Sequence, residues 1–109
     1  MPIKYENKNC LGIKIITEED GKVIGRAYLY ILYNDLHKEP FGFLEDLYVD
    51  ESVRGQGIGK KLVYAIIEKA KENDCYKLVA NSRNSRKEIH EFYKKFGFKD
   101  YGKEFRINF

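Results

Sequence analysis

Cysteine, histidine and long apolar runs are all scarce in this chain of 109 residues, and each scarcity excludes something. Cys10 and Cys75 stand far apart without metal-ligand spacing around them, so neither a disulfide framework nor a metal site is expected. Of the two histidines, His37 lies in a loop beside Lys38 and carries no spacing signal. No stretch approaches the roughly 20 apolar residues of a membrane span. Met1-Pro2-Ile3-Lys4-Tyr5-Glu6 has no signal-peptide profile, so no membrane partner is expected and the cytoplasm is the expected compartment. A strong charge excess is missing too. The formal net charge of +3 suits an anionic cofactor but does not argue for nucleic acid. There are no repeats, low-complexity tracts or linkers, and 43% hydrophobic with 34% charged residues is a globular balance. Residues 1–109 read as one compact α/β domain.

What is present is organised around Arg54-Gly55-Gln56-Gly57-Ile58-Gly59. Before it, Phe43 to Val49 is rich in aromatic and branched residues, a strand composition. After it, Ile58, Leu62, Val63, Ile66, Ile67 and Ala70 mark one face of a helix, with lysines and glutamates largely on the other. Three glycines inside a helix would cost about 1 kcal/mol each relative to alanine. At its mouth they leave backbone N–H groups open to an anion, which the helix dipole also favours.

The remaining chain follows in order. A short edge strand is expected around Ile3 and Tyr5, then a strand from Leu11 to Thr17. Glu18 to Lys22 is a turn carrying Asp20-Gly21, and Val23 to Tyr33 a long strand whose Gly25 marks a bulge or a close backbone contact. Asn34 to Pro40 is a loop. The first helix ends near Asn73-Asp74, and Tyr76 to Ala80 is a short strand parallel to the central one because a helix intervenes. Ser82 or Asn84 is expected to cap a second helix, Arg86 to Phe96, terminated by Gly97. Phe98 to Tyr101 and Phe105 to Phe109 read as a closing hairpin with Gly102 in its turn. The sum is a mixed sheet flanked by helices.

Two commoner phosphate motifs fail. A Walker loop would need glycine where Arg54 stands and a hydroxyl where Lys61 stands, and the dinucleotide fingerprint would need its third glycine one residue later than Gly59. What stands is Arg-x-x-Gly-x-Gly, on Arg54, Gly57 and Gly59. This resembles the pyrophosphate signature of the GCN5-related N-acetyltransferases (GNAT), which hold coenzyme A. Leu44 to Val49 is similar to the family's central strand. Phe92-Tyr93-Lys94-Lys95-Phe96-Gly97-Phe98 is similar to its Phe-Tyr-x-x-x-Gly-Phe segment. The matching blocks run from about Gly21 onward. The resemblance implies a mixed sheet with a splayed pair of parallel strands between which pantetheine lies.

The resemblance also implies roles. Leu47, Tyr48 and Val49 would contact the acyl-pantetheine arm. Arg54, Gly55, Gln56, Gly57, Ile58, Gly59 and Lys60 would take the pyrophosphate of acetyl-CoA, with no metal. Tyr93 matches the family tyrosine beside the coenzyme sulfur, where a phenol can protonate the leaving thiolate; the alternative is a packing aromatic beside Phe92 and Phe96. Glu45 is the expected base, acting through water, against the alternative of an exposed strand carboxylate; Asp46, on the other face by alternation, competes weakly. Many relatives carry asparagine seven residues before the tyrosine. Here that residue is Arg86, and Asn84 is the expected substitute. His90 is a second base candidate by likeness to a subgroup acting on small amines, or simply a surface histidine. Family members usually carry two helices between the first strand and the Asp20-Gly21 hairpin that help wall the acceptor site, and the chain has no room for them, so a second subunit of a homodimer would supply the wall. The expected activity is transfer of an acetyl group, by direct attack on the thioester, to a primary amine of a small molecule or a protein. The alternative is a coenzyme A-binding module without catalysis.

Overall fold

Branched and aromatic residues from Leu11 onward build a hairpin, β1 (Leu11–Glu19) and β2 (Lys22–Leu32), seen in a computed structural model that describes residues 1–109. Asp20 and Gly21 both have positive φ, at 52° and 78°, the turn that matches the twist of paired strands. β3 (Phe41–Val49) pairs antiparallel to β2. A short 3-10 turn over Glu51–Val53 and the glycine loop lead into α1 (Ile58–Glu72), which crosses over to β4 (Leu78–Ala80). β4 lies parallel to β3, as expected of strands joined by a helix, and the sheet order is β1-β2-β3-β4. α2 (Lys87–Lys94) follows, and Gly97 ends its last turn at φ 97°.

The core lies between α1 and one face of β2 and β3. Leu29, Leu62, Val63 and Ile66 are its largest fully buried side chains, joined by Ala27, Leu44, Ile58 and Ala70. Gly25 answers to both sequence readings. The β1–β2 register slips beside it, and a Cβ there would meet Ile58 at 3.0 Å and Leu62 at 3.1 Å. The helix sits that close because no side chain intervenes. α2 packs beside α1, with Phe92 near Gly59 and the Phe96 ring 5.1 Å from Tyr64. The opposite sheet face holds Lys14, Arg26, Tyr28, Tyr30, Phe43, Glu45 and Tyr48, placed together by cross-strand pairing. It is left open: Tyr30 and Tyr48 are 38% and 44% exposed. Residues 1–10, which precede this hairpin, contain no helix that could cover the face.

Three expectations are corrected. Residues 1–10 form no strand: Ile3 and Tyr5 are exposed and find no neighbour to pair with. The helix over Arg86–Phe96 is shorter than expected, and neither Ser82 nor Asn84 caps it. Arg86 holds the cap position without a side-chain capping bond, its carbonyl accepting from Ile89 and His90. The closing hairpin is absent. No residue from Phe98 to Phe109 makes a backbone–backbone hydrogen bond, and Tyr101, Phe105, Ile107 and Phe109 are nearly fully exposed. An isolated hairpin is at best marginal in water, and no strand of this chain lies against it.

Candidate active site

The site is built by a bulge. Asp46 takes a left-handed conformation at φ 50°, uncommon for a residue with a side chain, and the β2–β3 register slips opposite it. Arg26 donates a guanidinium hydrogen bond to the Asp46 carbonyl, filling the acceptor that the slipped ladder leaves behind. The alternation that would send Asp46 to the core face is therefore broken: Asp46 is exposed. Glu45 and Tyr48 share the open face, opposite Tyr28 and Arg26, while Leu47 and Val49 pack against the core. β4 leaves the ladder at Leu44↔Ala80, while β3 continues to Val49. The edge of β3 from Glu45 to Val49 thus has no strand on its β4 side. An unpaired strand edge offers N–H and C=O groups to an extended, amide-bearing ligand.

The glycine loop lies at the end of that edge. Gly55 and Gly57 sit at φ 85° and 81°, and a Cβ at either would meet nothing, so backbone conformation, not space, calls for glycine. Gly57 caps α1 without a side chain, and the first helical bond runs from Lys61 N–H to the Gly57 carbonyl. None of the six N–H groups from Gly55 to Lys60 has a hydrogen-bond partner within the protein. Six donors in sequence at a helix mouth make an anion cradle, and Lys60 and Lys61 beside it add charge. Arg54 is engaged differently. Its Nε donates to the Val49 carbonyl at 2.9 Å, its guanidinium lies 5.6 Å from the Tyr48 ring centre, and Glu51 is 3.9 Å away. Arg26 covers the same ring at 5.1 Å. Arg54 braces the loop against β3.

Tyr93 enters from α2, half-buried between the rings of Phe92 at 5.7 Å and Phe98 at 5.3 Å. Its phenol is pushed above the ordinary tyrosine range, first by burial and then by the charge of Glu45, which places the two groups within electrostatic reach. Glu45 is itself raised above the usual carboxylate range by desolvation, helped by Asp46 and Glu104 and opposed by Arg106. A phenol held protonated and a carboxylate made more basic are the states an acid and a base require. Asn84 lies in the exposed β4–α2 loop and lines, with Tyr93 and His90, a cleft of about 1160 Å³ along the outer edge of β4. The glycine loop and Glu45 do not line that cleft. His90 is engaged with the Arg83 carbonyl at 2.8 Å, and Arg86 with Glu88 at 3.0 Å, both holding the loop. Arg26, Glu104 and Arg106 escape a reading of sequence alone. A cation in an alternating strand, and an ion pair near the chain's last residues, look like ordinary surface.

The family model described as the acetyltransferase (GNAT) family matches residues 3–98. Glucosamine 6-phosphate N-acetyltransferase from Candida albicans is 33% identical over 96 residues, covering 87% of this chain and 62% of that protein. The enzyme of that name from Trypanosoma brucei brucei is 34% identical over 89 residues, covering 81% and 58%. The chain thus spans about six-tenths of the length of these curated relatives. Among solved structures, a Trypanosoma brucei acetyltransferase superposes with TM-score 0.82 at 28% identity, covering 90% of this chain and 69% of that one. The family model matches most of the chain, and this chain belongs to the acetyltransferase (GNAT) family.

Proposed function

We propose that this protein is an acetyl-CoA-dependent N-acetyltransferase acting on a primary amine of a small molecule. The observation that carries the reading is the row of unpartnered N–H groups from Gly55 to Lys60, continuous with the unpaired β3 edge from Glu45 to Val49. That arrangement fits a diphosphate followed by an extended, amide-bearing arm, the two parts of coenzyme A that need such donors. The thioester then lies along β3, where a strand N–H polarises its carbonyl. Glu45 takes a proton from the ammonium through water, since a free amine of pKa near ~10 is otherwise protonated. The amine nitrogen bonds to the carbonyl carbon, the carbon–sulfur bond breaks, and Tyr93 gives its proton to the departing thiolate.

The acceptor to test first is an amino sugar phosphate, because the two curated relatives are named for glucosamine 6-phosphate. A protein amine is the alternative acceptor. The open tyrosine-lined sheet face calls for a second subunit as its wall, so we assign a homodimer, working in the cytoplasm. That same open face favours a second reading, a coenzyme A-binding module without turnover. Calorimetric titration with acetyl-CoA, followed by turnover across an amine panel, tests both. Saturable binding with turnover lost in Tyr93→Phe supports the enzyme; binding without turnover on any amine supports the module. No binding at all refutes both.

A further inference from the structure

We infer that the acceptor is an amine that also carries an anionic group, and that Lys14 binds this group while Tyr28 floors the space between it and Glu45. This rests on the N-acetyltransferase function proposed above and names the substrate class that the open sheet face selects. Pairing sets Lys14 of β1 opposite Tyr28 of β2, and Tyr28 opposite Glu45 of β3. The three residues form one row across the open face, so Lys14 and Glu45 stand two strand spacings apart, about 10 Å between backbones. Lys14 is exposed, and its ammonium lies 5.7 Å from the centre of the Tyr28 ring. It makes no hydrogen bond or ion pair, unlike Lys8, Lys22, Lys69, Lys71 and Lys94. The other cation of that face, Arg26, is committed to the Asp46 carbonyl and the Tyr48 ring. Lys14 is the positive charge of the face that is left without a partner.

The row has two poles. At one end Glu45 feels the acids Asp46 and Glu104 against the cation Arg106, an acidic surround that attracts an ammonium. At the other end Lys14 has no acid beside it: Gly12 and Ile16 flank it on the same face of β1, and Tyr28 is its cross-strand partner. Between the poles the floor is aromatic. The Tyr28 and Tyr30 rings are parallel to within 7°, with centres 6.2 Å apart. Tyr30 leans over β1 because Gly12 has no Cβ, which would meet the ring at 3.2 Å. Aromatic rings accept the apolar body of a ligand, so discrimination falls to the charged ends. An acceptor with an ammonium at Glu45 and a phosphate or carboxylate at Lys14 satisfies both poles at once. A neutral amine leaves Lys14 unpaired, and a polyamine brings like charge against it.

The test compares glucosamine 6-phosphate, 6-aminohexanoate, glucosamine and spermidine, by calorimetric binding to the coenzyme A-loaded protein and by KM and kcat with acetyl-CoA. The wild type is expected to prefer the two anion-bearing amines, with spermidine weakest; the better of the two tells phosphate from carboxylate. Lys14→Gln is expected to lower that preference over glucosamine about tenfold, through KM and not kcat. Lys14→Arg is expected to retain most of it, and Lys14→Glu to turn it toward spermidine. Should a variant not fold, the wild-type preference decides. A preference that survives Lys14→Gln overturns the inference, as does a wild type that favours glucosamine or spermidine. A wild type that binds acetyl-CoA but none of the four amines overturns it too, and leaves the coenzyme site standing. A wild type that binds no acetyl-CoA, read in a separate titration, overturns the proposed function itself and this inference with it.

Discussion

The β3–α1 junction and the segment 99–109 carry equally clear local patterns, and only one of them became structure. At the junction, a branched strand, a glycine loop and an amphipathic helix are each supported by a neighbour: Gly25 admits Ile58 and Leu62, and Arg54 ties the loop to Val49. In segment 99–109 a turn residue lies between two strand-like runs, and no backbone hydrogen bond forms. The difference is the availability of a partner. A helix satisfies its own backbone, whereas a strand depends on another strand to do so. Local pattern is therefore a sound guide to α1 and an incomplete one to the last strands.

The sharpest way to break the junction is Gly57→Glu. The substitution forces a side chain into φ 81° and places a carboxylate within the row of N–H donors. Acetyl-CoA affinity measured by calorimetry is expected to fall beyond detection, while α1 retains its helical signal. Retained affinity would refute the cradle. Next in size is Glu45→Gln, expected to lower kcat about 10²–10⁴-fold as the loss of a general base. Glu45 works only when ionised, and its pKa lies above the carboxylate range. The wild-type rate is therefore lost as pH falls through that raised value, and Glu45→Gln flattens this acidic limb. Tyr93 has to stay protonated, and burial followed by the charge of Glu45 raises its pKa, which moves the basic limb to higher pH than an ordinary tyrosine would set. An acidic limb unchanged in the glutamine variant would remove Glu45 from the chemistry.

These residues show how far the sequence was readable. The turn glycines at the mouth of α1, the parallel β4 and the buried face of α1 follow from local chemistry, whereas Tyr93 and Glu45 were reached through the family resemblance. The bulge at Asp46 does not. An aspartate tolerates φ 50° better than most residues, but its identity alone does not place a bulge: the conformation follows from β2 pairing on both sides of the slip and from Arg26 satisfying the freed carbonyl. The slip also puts Glu45 and Tyr48 on one face, which strict alternation would deny. Asn84 is the opposite case. A motif offset pointed to it, and what the structure adds is a place in the exposed β4–α2 loop, lining the same cleft as Tyr93.

A smaller effect separates the packing of the junction from its chemistry. Leu62 is 1% exposed, and Leu62→Ala is expected to cost about 2–5 kcal/mol of stability, read by urea denaturation. Ile107→Ala, on a side chain 79% exposed in the single chain, is expected to leave monomer stability within about 0.5 kcal/mol. Equal losses at the two positions would erase the contrast between the regions.

A modest expected effect concerns what Arg54 does. Were its guanidinium a phosphate ligand, removing the charge would matter most, and Arg54→Lys would be the milder change. Its geometry argues for bracing: Nε is committed to the Val49 carbonyl and the guanidinium plane lies near Tyr48, so the loop is tied to β3 before any ligand arrives. Glutamine keeps a planar amide able to donate to that carbonyl, whereas lysine offers a point charge that neither stacks nor forks. Arg54→Gln is therefore expected to weaken acetyl-CoA binding only a few-fold, and less than Arg54→Lys, with kcat unchanged in both. Binding that falls further in glutamine than in lysine, with a reduced salt dependence, would reassign Arg54 from brace to anion ligand.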